Sequence, residues 1–593
     1  MKKILLLAAL LFGLKSIGQV VLENYPTSTT SIFQASNFIN YSNKMYYFGR
    51  TSGYQWSLYS TSGTSTGNQV VKPIGLQGAN IISDDIDAKY NDYKIEYNSK
   101  LYFTAINQLW QSDGTTAGTS LFTNLYGAKY FKIFNGKLYF IANGTDGYEV
   151  WSTDGTVAGT AMLKDIYAGS NSSVNPSRDP HFTVFNNKLF FVANDGINGY
   201  ELWSSDGTTA NTLLFMNLRV TESETAPADQ GAFTVTSTYS TQPFLVCNNK
   251  MYFVANSDFS NQYGLNFRLF QTDGTVSGTS HVAPPPPAGT TLTTNFISAV
   301  NGLTVVNNDL FATGSIFDPA AGGGGGTTQK SGLFKVNNLN QVTQIGTIIP
   351  YSGDSGSGAN TEQSSMKLYN GEFYFIAPGT VAGSNLELWK MNPVTFQFTQ
   401  VSNPATPTNI LFNTNNGFSR LLLSQEWNGK LYFMKANSVA GQLFSTTGTL
   451  SSTTQVAKNS INPNQNLSVF DFGSSSPKQL QNFTSGLYFG ANFGASQPSL
   501  WRFYDATLTL QENYKTNFSL FPNPTSSQIN LSFEKNLDDA SVKITSLLGQ
   551  AVLEKQNLSG NNLSFDVSDL ASGMYIISVN NSGLLSNSKF IKE

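Results

Sequence analysis

Short apolar segments separated by turn-forming residues recur along most of this 593-residue chain. A typical segment runs from Lys137 to Asn143 as Lys-Leu-Tyr-Phe-Ile-Ala-Asn, which is too short for a helix and rich in strand-favouring residues. Asn-Gly or Asn-Asn precedes most of these segments, and both pairs tolerate the positive φ of tight turns. The pattern therefore predicts short antiparallel strands without helical periodicity.

A second phrase, ending in Asp-Gly-Thr, follows each of the clearest segments at residues 108–115, 149–156, 201–208 and 268–275. Weaker copies bring the total to about nine between residues 40 and 505, spaced roughly 37 to 63 residues apart, within reach of blade-like repeats. Three or four strands per copy predict an all-β fold in which residues 19–504 form a large β-propeller of roughly 7 to 9 blades. A right-handed β-solenoid is the alternative, although periods of roughly 50 residues are long for one.

These phrases resemble the Glu-Leu-Trp-x-x-Asp-Gly-Thr repeat proteins of bacteria. The copy at Glu201 matches in full, whereas the other copies carry Gln108 for Glu, Val150 for Leu, and Arg268 and Phe270 for Glu and Trp. The resemblance implies an extracellular repeat protein and transfers no active site.

Residues 1–18 have the features of a secretory signal peptide. Lys2 and Lys3 precede an apolar run from Ile4 to Leu14, and small residues before Gln19 suit cleavage there. The run is too short for a transmembrane helix, and no later segment is apolar for long enough to be one. A buried N-terminal strand is the alternative.

The C-terminal part differs from the repeats in pattern. Residues 505–516 predict a linker, and residues 517–593 alternate like strands with Gly turns, which predicts a small β-sandwich. An ordinary immunoglobulin-like binding module is one interpretation of this pattern.

The same segment resembles the type A C-terminal sorting domain of the Bacteroidetes type IX secretion system. The resemblance rests on motif residues in the order of that family: Pro522, Asn523, Pro524, Gly549, Gly573, Tyr575 and Lys589. It implies export by the type IX machinery to the outer cell surface or the medium. Removal of the domain, with anchoring or release of the remainder, is then expected.

Composition agrees with an extracellular location. Charged residues make up 12% of the chain and the net charge is −3, which argues against a nucleic-acid partner. Cys247 is the single cysteine, so an intramolecular disulfide is excluded, and its strand-like surroundings predict a buried apolar role.

Asp113, Asp154, Asp206 and Asp273 occupy the Asp-Gly-Thr turns, where a carboxylate can cap the backbone two residues on. Weak Ca²⁺ binding is the alternative, because hard cations prefer carboxylate and carbonyl oxygens. Asp146 and Asp195, in neighbouring loops, are the weak metal candidates. No cofactor other than this Ca²⁺ is expected.

Glu149, Glu201 and Glu387 stand two residues before a repeat Trp. Residues repeated in every blade should lie on separate blades, so we expect these carboxylates to be exposed or paired with a neighbouring Lys. They then cannot form the close carboxylate pair of a glycosidase. The Trp residues are expected to pack between strands rather than to stack on sugars.

No residue is assigned a catalytic role. His181 and His281 lie in different repeats without metal-ligand spacing, and both are expected at the surface. Glu222, Glu224 and Asp229 cluster in one insert, but nothing else in the sequence joins them.

Three functions follow from these observations. We favour a secreted or cell-surface binding or adhesion protein for a glycan or a surface protein, with the inserts at 217–241 and 281–295 as contact loops. An extracellular polysaccharide hydrolase or lyase would require unrepeated acids and a His that meet at one mouth of the channel. A structural surface component without a small ligand is the third.

Overall fold

The computed structural model of the protein describes most of the chain in segments. These are residues 20–24, 33–50, 55–63, 67–75, 93–176, 178–218, 231–235, 238–239, 243–256, 267–282, 297–306, 308–317, 329–337, 339, 341–346, 366–378, 385–402, 412–413, 424–435, 441–456, 468–469, 480–484, 486–492, 499–505, 518–546, 550–581 and 584–593. The predicted signal peptide and nearly all of the predicted linker lie outside them. The chain divides into two compact bodies, one spanning 24–502 and the other containing 503–593.

The prediction of an all-β protein is confirmed. Within the segments above, one 3-10 helix, Leu450–Ser452, accompanies 44 strands, and there is no α-helix. Among these residues no helix has the length and apolarity needed to cross a membrane.

The described strands between 33 and 505 fall into nine successive units, each built on a long antiparallel hairpin. The strand β9 is the last strand of unit 2 and continues as the first strand of unit 3. Strand β1 is Val20–Asn24. Unit 1 contains β2 (Phe33–Tyr41), β3 (Lys44–Arg50), β4 (Trp56–Thr61) and β5 (Asn68–Gly75); unit 2 contains β6 (Lys94–Tyr97), β7 (Lys100–Ala105), β8 (Gln108–Ser112) and β9 (Ser120–Phe134); unit 3 adds β10 (Lys137–Asn143), β11 (Tyr148–Thr153) and β12 (Ala161–Met162); unit 4 contains β13 (Thr183–Phe185), β14 (Lys188–Asn194), β15 (Tyr200–Ser205) and β16 (Leu213–Met216).

The remaining units follow the same order. A separate pair, β17 (Thr234–Val235) and β18 (Thr238–Tyr239), precedes unit 5. Unit 5 contains β19 (Leu245–Cys247), β20 (Lys250–Asn256), β21 (Phe267–Thr272) and β22 (Ser280–His281); unit 6 contains β23 (Ser298–Val306), β24 (Asp309–Phe317), β25 (Gln329–Val336) and β26 (Val342–Gly346); unit 7 contains β27 (Lys367–Tyr369), β28 (Glu372–Pro378), β29 (Asn385–Met391), β30 (Phe398–Gln400) and β31 (Phe412–Asn413); unit 8 contains β32 (Gln425–Trp427), β33 (Lys430–Lys435), β34 (Gly441–Thr446), β35 (Thr454–Gln455) and β36 (Ser468–Val469); unit 9 contains β37 (Leu480–Phe483), β38 (Gly486–Asn492) and β39 (Ser499–Asp505).

Each unit begins with a tight turn between its first and second strands. Asn186 and Asn187 have φ of 46° and 58°, and Asn135 and Gly136 have 45° and 71°. Positive φ at both central residues is the mirror-image turn that matches strand twist, and Asn and Gly adopt it at little cost. The Asn-Gly and Asn-Asn pairs therefore fix where the first hairpin turns in units 3, 4, 5, 7 and 8.

Aromatic residues face each other across the central hairpin of most units, whereas in unit 6 Phe311 lies opposite Lys335. Phe140 lies opposite Trp151 and Phe191 opposite Trp203, while Phe253 and Phe270 stack with centroids 5.4 Å apart. Such cross-strand pairs stabilise a sheet beyond the burial of their area. The repeat Trp residues thus pack within the sheets.

The hydrophobic cores of the first body lie between successive units. Tyr139 and Val150 of unit 3 pack in one buried cluster with Leu189, Phe191 and Trp203 of unit 4. Neither sheet could bury these faces by itself, so each unit depends on its neighbour.

Unit 9 contacts unit 1 in the way that unit 2 contacts unit 3. Tyr102 of unit 2 donates a hydrogen bond to the carbonyl of Gly155 in unit 3 at 3.4 Å, and Tyr488 of unit 9 donates to Gly63 of unit 1 at 3.4 Å. Phe33 of β2 pairs with Ser499 of β39, and side chains of both units share one core cluster. The first and last units are therefore neighbours.

Three repeated glutamates are completely buried, contrary to the expectation that they are exposed or paired with Lys. Glu149 Oε1 accepts the backbone N–H of Ser173 at 3.0 Å, and its Oε2 accepts that of Ile166 at 3.4 Å and the Ser173 hydroxyl. Glu201 accepts from the N–H groups of Leu218 and Ala232 at 3.0 and 2.9 Å. Because each Glu lies opposite a small Ala in the hairpin, its side chain can turn inward and bond the segment that leads to the next unit.

Glu387 is buried in the same way and accepts a hydrogen bond from the Ser402 hydroxyl. The three carboxylates lie in units 3, 4 and 7. Backbone donors of the connecting segments, rather than lysine side chains, compensate the first two.

In the second body, β40 (Phe518–Phe521), β41 (Gln528–Ser546), β42 (Ala551–Asp566), β43 (Gly573–Asn581) and β44 (Leu584–Lys592) form one five-stranded antiparallel sheet. Register shifts interrupt the pairing of β41 with β42, and a buried cluster including Ile529, Val542 and Phe590 forms the core. The β-sandwich stays a prediction.

Replacement of Glu149 by Gln should change how stability depends on pH. Burial raises the pKa of Glu149 from its ordinary value to about 7, in spite of the hydrogen bonds from Ser173, so the folded protein binds this proton more tightly than the unfolded chain. Wild-type stability relative to Glu149→Gln should therefore fall by about 3 kcal/mol as the pH rises from 4 to 8. Urea denaturation across this range measures the difference.

The exposed Glu96 provides the control, since Glu96→Gln should follow the wild type at every pH. If the wild type and Glu149→Gln differed in free energy of unfolding by the same amount at every pH, the raised pKa of Glu149 would be contradicted.

Candidate functional site

The first strand of each unit lies beside the first strand of the next. Asn40 Nδ2 of unit 1 donates to the carbonyl of Asn482 in unit 9 at 2.8 Å, and Asn482 Nδ2 donates to that of Glu426 in unit 8 at 2.5 Å. Strands β19 and β23 of units 5 and 6 are also in contact. The first strands thus form a common surface to which successive units each contribute one short segment.

A cleft of 460 Å³ opens on this surface where units 3, 4 and 5 meet. Its lining comes from Tyr130–Lys132 of unit 3, from Asp179 and His181–Val184 of unit 4, and from Pro243, Phe244 and Val246 of unit 5. We call it the first-strand cleft. Its volume is within the range of about 300 to 1,000 Å³ that is usual for small-molecule sites.

His181 lies in the wall of the cleft and is only 7% exposed. Its ring stacks on Phe244 with centroids 4.9 Å apart, and its Nδ1 is 3.7 Å from Asp179 Oδ2. Asp179 Oδ1 also accepts the backbone N–H of His181 at 2.7 Å. The prediction of a surface histidine is wrong, because stacking on Phe244 buries the ring.

The backbone of His181 has φ of +59°, which non-Gly residues seldom adopt. Asn37 and Tyr130, at the same position of units 1 and 3, have φ of 55° and 59°. This conformation therefore recurs five residues before the first hairpin turn in units 1, 3 and 4, and the histidine side chain is what distinguishes unit 4.

His281 lies outside the cleft and is half-buried rather than at the surface. It packs on Phe270 with centroids 4.3 Å apart, and burial, aided by Arg268, lowers its pKa to about 4. It is neutral at physiological pH and has a packing role.

The lining of the cleft combines aromatic and polar groups. Phe131 and Phe182, at matching positions of units 3 and 4, are half-buried, while Val184 and Val246 are 37% and 45% exposed. Lys132 and Asp179 contribute opposite charges. A carboxylate facing Nδ1 can orient an imidazole, so the cleft could bind a polar ligand with an apolar face or hold a proton-transfer group.

Sequence reasoning missed Tyr130, Lys132, Asp179 and Phe244 as site residues. Lys132 and Asp179 stand at positions where most units carry other residues. Tyr130 and Phe244 are repeated in neighbouring units, as Tyr93 and as Phe182. Comparing the first strands for unrepeated residues would have drawn attention to His181 and its neighbours.

The Asp-Gly-Thr carboxylates lie on four separate turns and cap them. Asp154 Oδ1 accepts the backbone N–H and the hydroxyl of Thr156 at 2.8 and 2.7 Å. Asp113, Asp206 and Asp273 make the same pair of bonds, and in all four the threonine hydroxyl lowers the pKa of the carboxyl.

In three of these turns a glycine lies against the carboxylate. A side-chain carbon at Gly159 would lie 2.2 Å from Asp154 Oδ1, and Gly118 and Gly278 are equally close to their aspartates. Unit 4 has Asn211 there instead, which donates to Asp206 Oδ2 at 2.6 Å. The aspartates thus have local hydrogen-bond partners.

The weak metal candidates also bond within their own loops. Asp195 Oδ1 accepts the N–H groups of Ile197 and Asn198 at 2.9 and 2.7 Å, and Asp146 Oδ2 accepts the Thr145 hydroxyl at 3.0 Å. Over the described ranges no three His, Cys, Asp or Glu residues are grouped as metal ligands. Calcium binding stays a prediction.

Other predicted residues have no place in the cleft. Cys247 is buried, and burial raises the pKa of its thiol to about 11. Glu222, Glu224, Asp229 and Gly549 lie outside the described residues, as do most of the two long inserts.

In the second body, the sorting-motif residues meet around the last strand. Asn523, between Pro522 and Pro524, accepts the N–H of Ile591 at 2.9 Å through Oδ1 and donates to the carbonyl of Lys589 at 3.2 Å through Nδ2. Its side chain thus acts as a short extension of the sheet along β44.

Two more motif residues lie opposite the same strand. Gly573 pairs with Lys592, and Tyr575 stacks on Phe590 with centroids 5.6 Å apart while its hydroxyl donates to the carbonyl of Ala571 at 2.9 Å. The side chain of Lys589 is exposed.

Residues 519–593 match the family of secretion system C-terminal sorting domains. This confirms the type IX sorting domain predicted from the motif residues, and the protein is exported to the cell surface or the medium. None of the curated proteins matches the chain.

Several solved structures are distantly similar. One is a puromycin-hydrolysing peptidase from Mycobacterium tuberculosis, with 7% identity, a TM-score of 0.32 and coverage of 69% of this chain and 61% of that one. Another is the β-propeller domain of the Trilobed protease from Pyrococcus furiosus, with 8% identity, a TM-score of 0.28 and coverage of 65% and 94%. A third is the extracellular domain of a hybrid two-component system from B. thetaiotaomicron, with 10% identity, a TM-score of 0.26 and coverage of 96% and 98%. The chain spans about three fifths of the length of the first peptidase. At these TM-scores no function is transferred from any of the three structures.

Replacement of Asn523 by Asp should loosen the last strand of the sorting domain. Aspartate keeps the acceptor for Ile591 but loses the donor to Lys589, which should cost about 1–2 kcal/mol. Amide hydrogen exchange along β44 of the full chain should then become roughly 5- to 30-fold faster.

The variant Asn561→Asp adds the same charge at an exposed position of β42 and should leave β44 unchanged. Equal exchange of β44 in both variants would show that the Asn523 amide does not hold the strand.

Proposed function

We propose that the nine units form a closed nine-bladed β-propeller within residues 19–504. The contacts of unit 9 with unit 1, which repeat those between consecutive units, support closure. On this proposal residues 1–18 are a signal peptide, residues 505–516 a linker and residues 517–593 a sorting β-sandwich. A closed propeller brings its first strands together around one channel.

The function that we propose is that of an exported binding or adhesion protein with a glycan ligand in the first-strand cleft. The observation that carries the proposal is that Lys132, Asp179 and His181, polar residues that do not recur in the neighbouring units, line one cleft together with the repeated aromatic residues. Residues that only maintained the repeat would be expected to recur from unit to unit. A protein ligand is the alternative occupant.

An extracellular polysaccharide hydrolase or lyase is the second candidate. Asp179 and His181 are an unrepeated acid and a histidine in the same cleft, 3.7 Å apart between Oδ2 and Nδ1. In such an enzyme His181, oriented by Asp179, would accept or donate a proton at the bound saccharide.

The proposed binding site predicts that a glycan of the right class raises the melting temperature of the purified full chain by mass action. Val246→Asp, which places a carboxylate on the exposed wall of the cleft, should abolish the shift. Leu368→Asp is the matched control, because Leu368 has the equivalent strand position in unit 7 and is 47% exposed. Thermal unfolding against a glycan panel, with product analysis of each mixture, makes the measurement.

The outcomes separate the functions. A shift lost in Val246→Asp and kept in Leu368→Asp supports the binding protein, and conversion of the glycan favours the enzyme. Absence of a shift with every glycan would reject glycan binding and favour a structural or protein-binding role.

A further inference from the structure

We propose that the first-strand cleft selects saccharides that carry a carboxylate, with Lys132 as the cation that pairs with it. This inference rests on the proposed glycan-binding function and assigns its ligand class. It follows from the charges, the aromatic groups and the size of the cleft.

The ionisable groups in the lining of the cleft are Lys132, Asp179, His181 and the Tyr130 phenol. Asp179 is engaged within the protein, because its Oδ1 accepts the backbone N–H of His181 and its Oδ2 faces the imidazole Nδ1. Lys132 differs, since within the part of the chain that the structure describes its ammonium group has neither an ion pair nor a hydrogen bond. The cleft therefore offers an incoming ligand one uncommitted positive charge.

The apolar part of the cleft lies beside this charge. Tyr130 stands two residues before Lys132 in the same first strand and packs in one cluster with Phe182 of the neighbouring unit. The Phe182 ring is half-buried, and the exposed side chains of Val184 and Val246 extend the apolar lining. A ligand must then combine an apolar face with an anionic group at short range.

A uronate ring meets this requirement in one rigid unit. Its C–H groups form an apolar face, its hydroxyls can donate to the Thr183 hydroxyl oxygen in the lining of the cleft, and its carboxylate is fixed to the same ring. A rigid ligand loses less conformational entropy on binding than an acidic peptide, whose apolar and anionic groups lie on separate flexible side chains. A volume of 460 Å³ also suits a short oligosaccharide better than a long peptide.

The test compares two ligands and two variants of the full chain. The ligands are tetragalacturonate and the same tetrasaccharide with its carboxyl groups reduced to alcohols. The variants are Lys132→Met, which keeps the apolar stem, and Lys137→Met, which removes an exposed lysine of the same unit outside the cleft. Isothermal titration calorimetry at low and at physiological ionic strength gives the Kd values.

We expect the wild type and Lys137→Met to bind tetragalacturonate at least tenfold more tightly than its reduced form. Lys132→Met should lose that preference, with little change for the reduced ligand, and added salt should weaken only the binding that depends on the charge.

Equal binding of the two ligands, unaffected by Lys132→Met, would overturn the assignment of Lys132 but leave glycan binding in place. Failure of the folded wild type to bind either tetrasaccharide would overturn the ligand class. If every other glycan also failed to bind, the proposed function would fall with it. Binding of hexaglutamate that Lys132→Met abolishes, without binding of tetragalacturonate, would assign the cleft to acidic peptides instead.

Discussion

Successive units in the middle of the chain are joined by hydrogen bonds in which backbone N–H groups donate to a buried carboxylate. Ser173 shows the arrangement: its N–H donates to Glu149 of unit 3, and its carbonyl accepts the N–H of Asn194 in unit 4 at 2.8 Å. Ala232 repeats it between Glu201 and Asn256 of the next two units. A single connecting residue is thus fixed to the unit behind it and to the unit ahead.

The burial of these carboxylates has an energetic cost that their donors offset. An isolated buried carboxylate is strongly unfavourable, and the raised pKa of Glu149 shows that its three donors compensate only in part. These hydrogen bonds fix the position of the first strand of unit 4, because the connecting segment from Ser173 to Pro180 leads directly into His181 and β13. The cleft is consequently positioned by buried bonds between units.

Much of the local structure could be predicted from the sequence. The Asn-Gly and Asn-Asn pairs mark turns whose φ values only a few residue types adopt, and each Asp-Gly-Thr turn is completed by its own threonine. Both features are decided by residues close together in the chain. The burial of Glu149 depends on donors 17 and 24 positions away, in a segment without a repeated pattern, and could not be inferred from its spacing to Trp151. The same holds for the cleft, since Lys132, His181 and Phe244 meet only after three units have packed.

The meeting of unit 9 with unit 1 constrains how such a protein can change over evolution. An open array can gain or lose a repeat at its end with little effect on the others. The core that contains Tyr47 of unit 1 and Tyr488 of unit 9 lies where such an end would be. In the closed propeller that we propose, duplication of one unit would change the angle between all the others at once, so variation would be confined to substitution within units and to loops between strands. New specificity should therefore arise where the units are already unlike, as they are around His181.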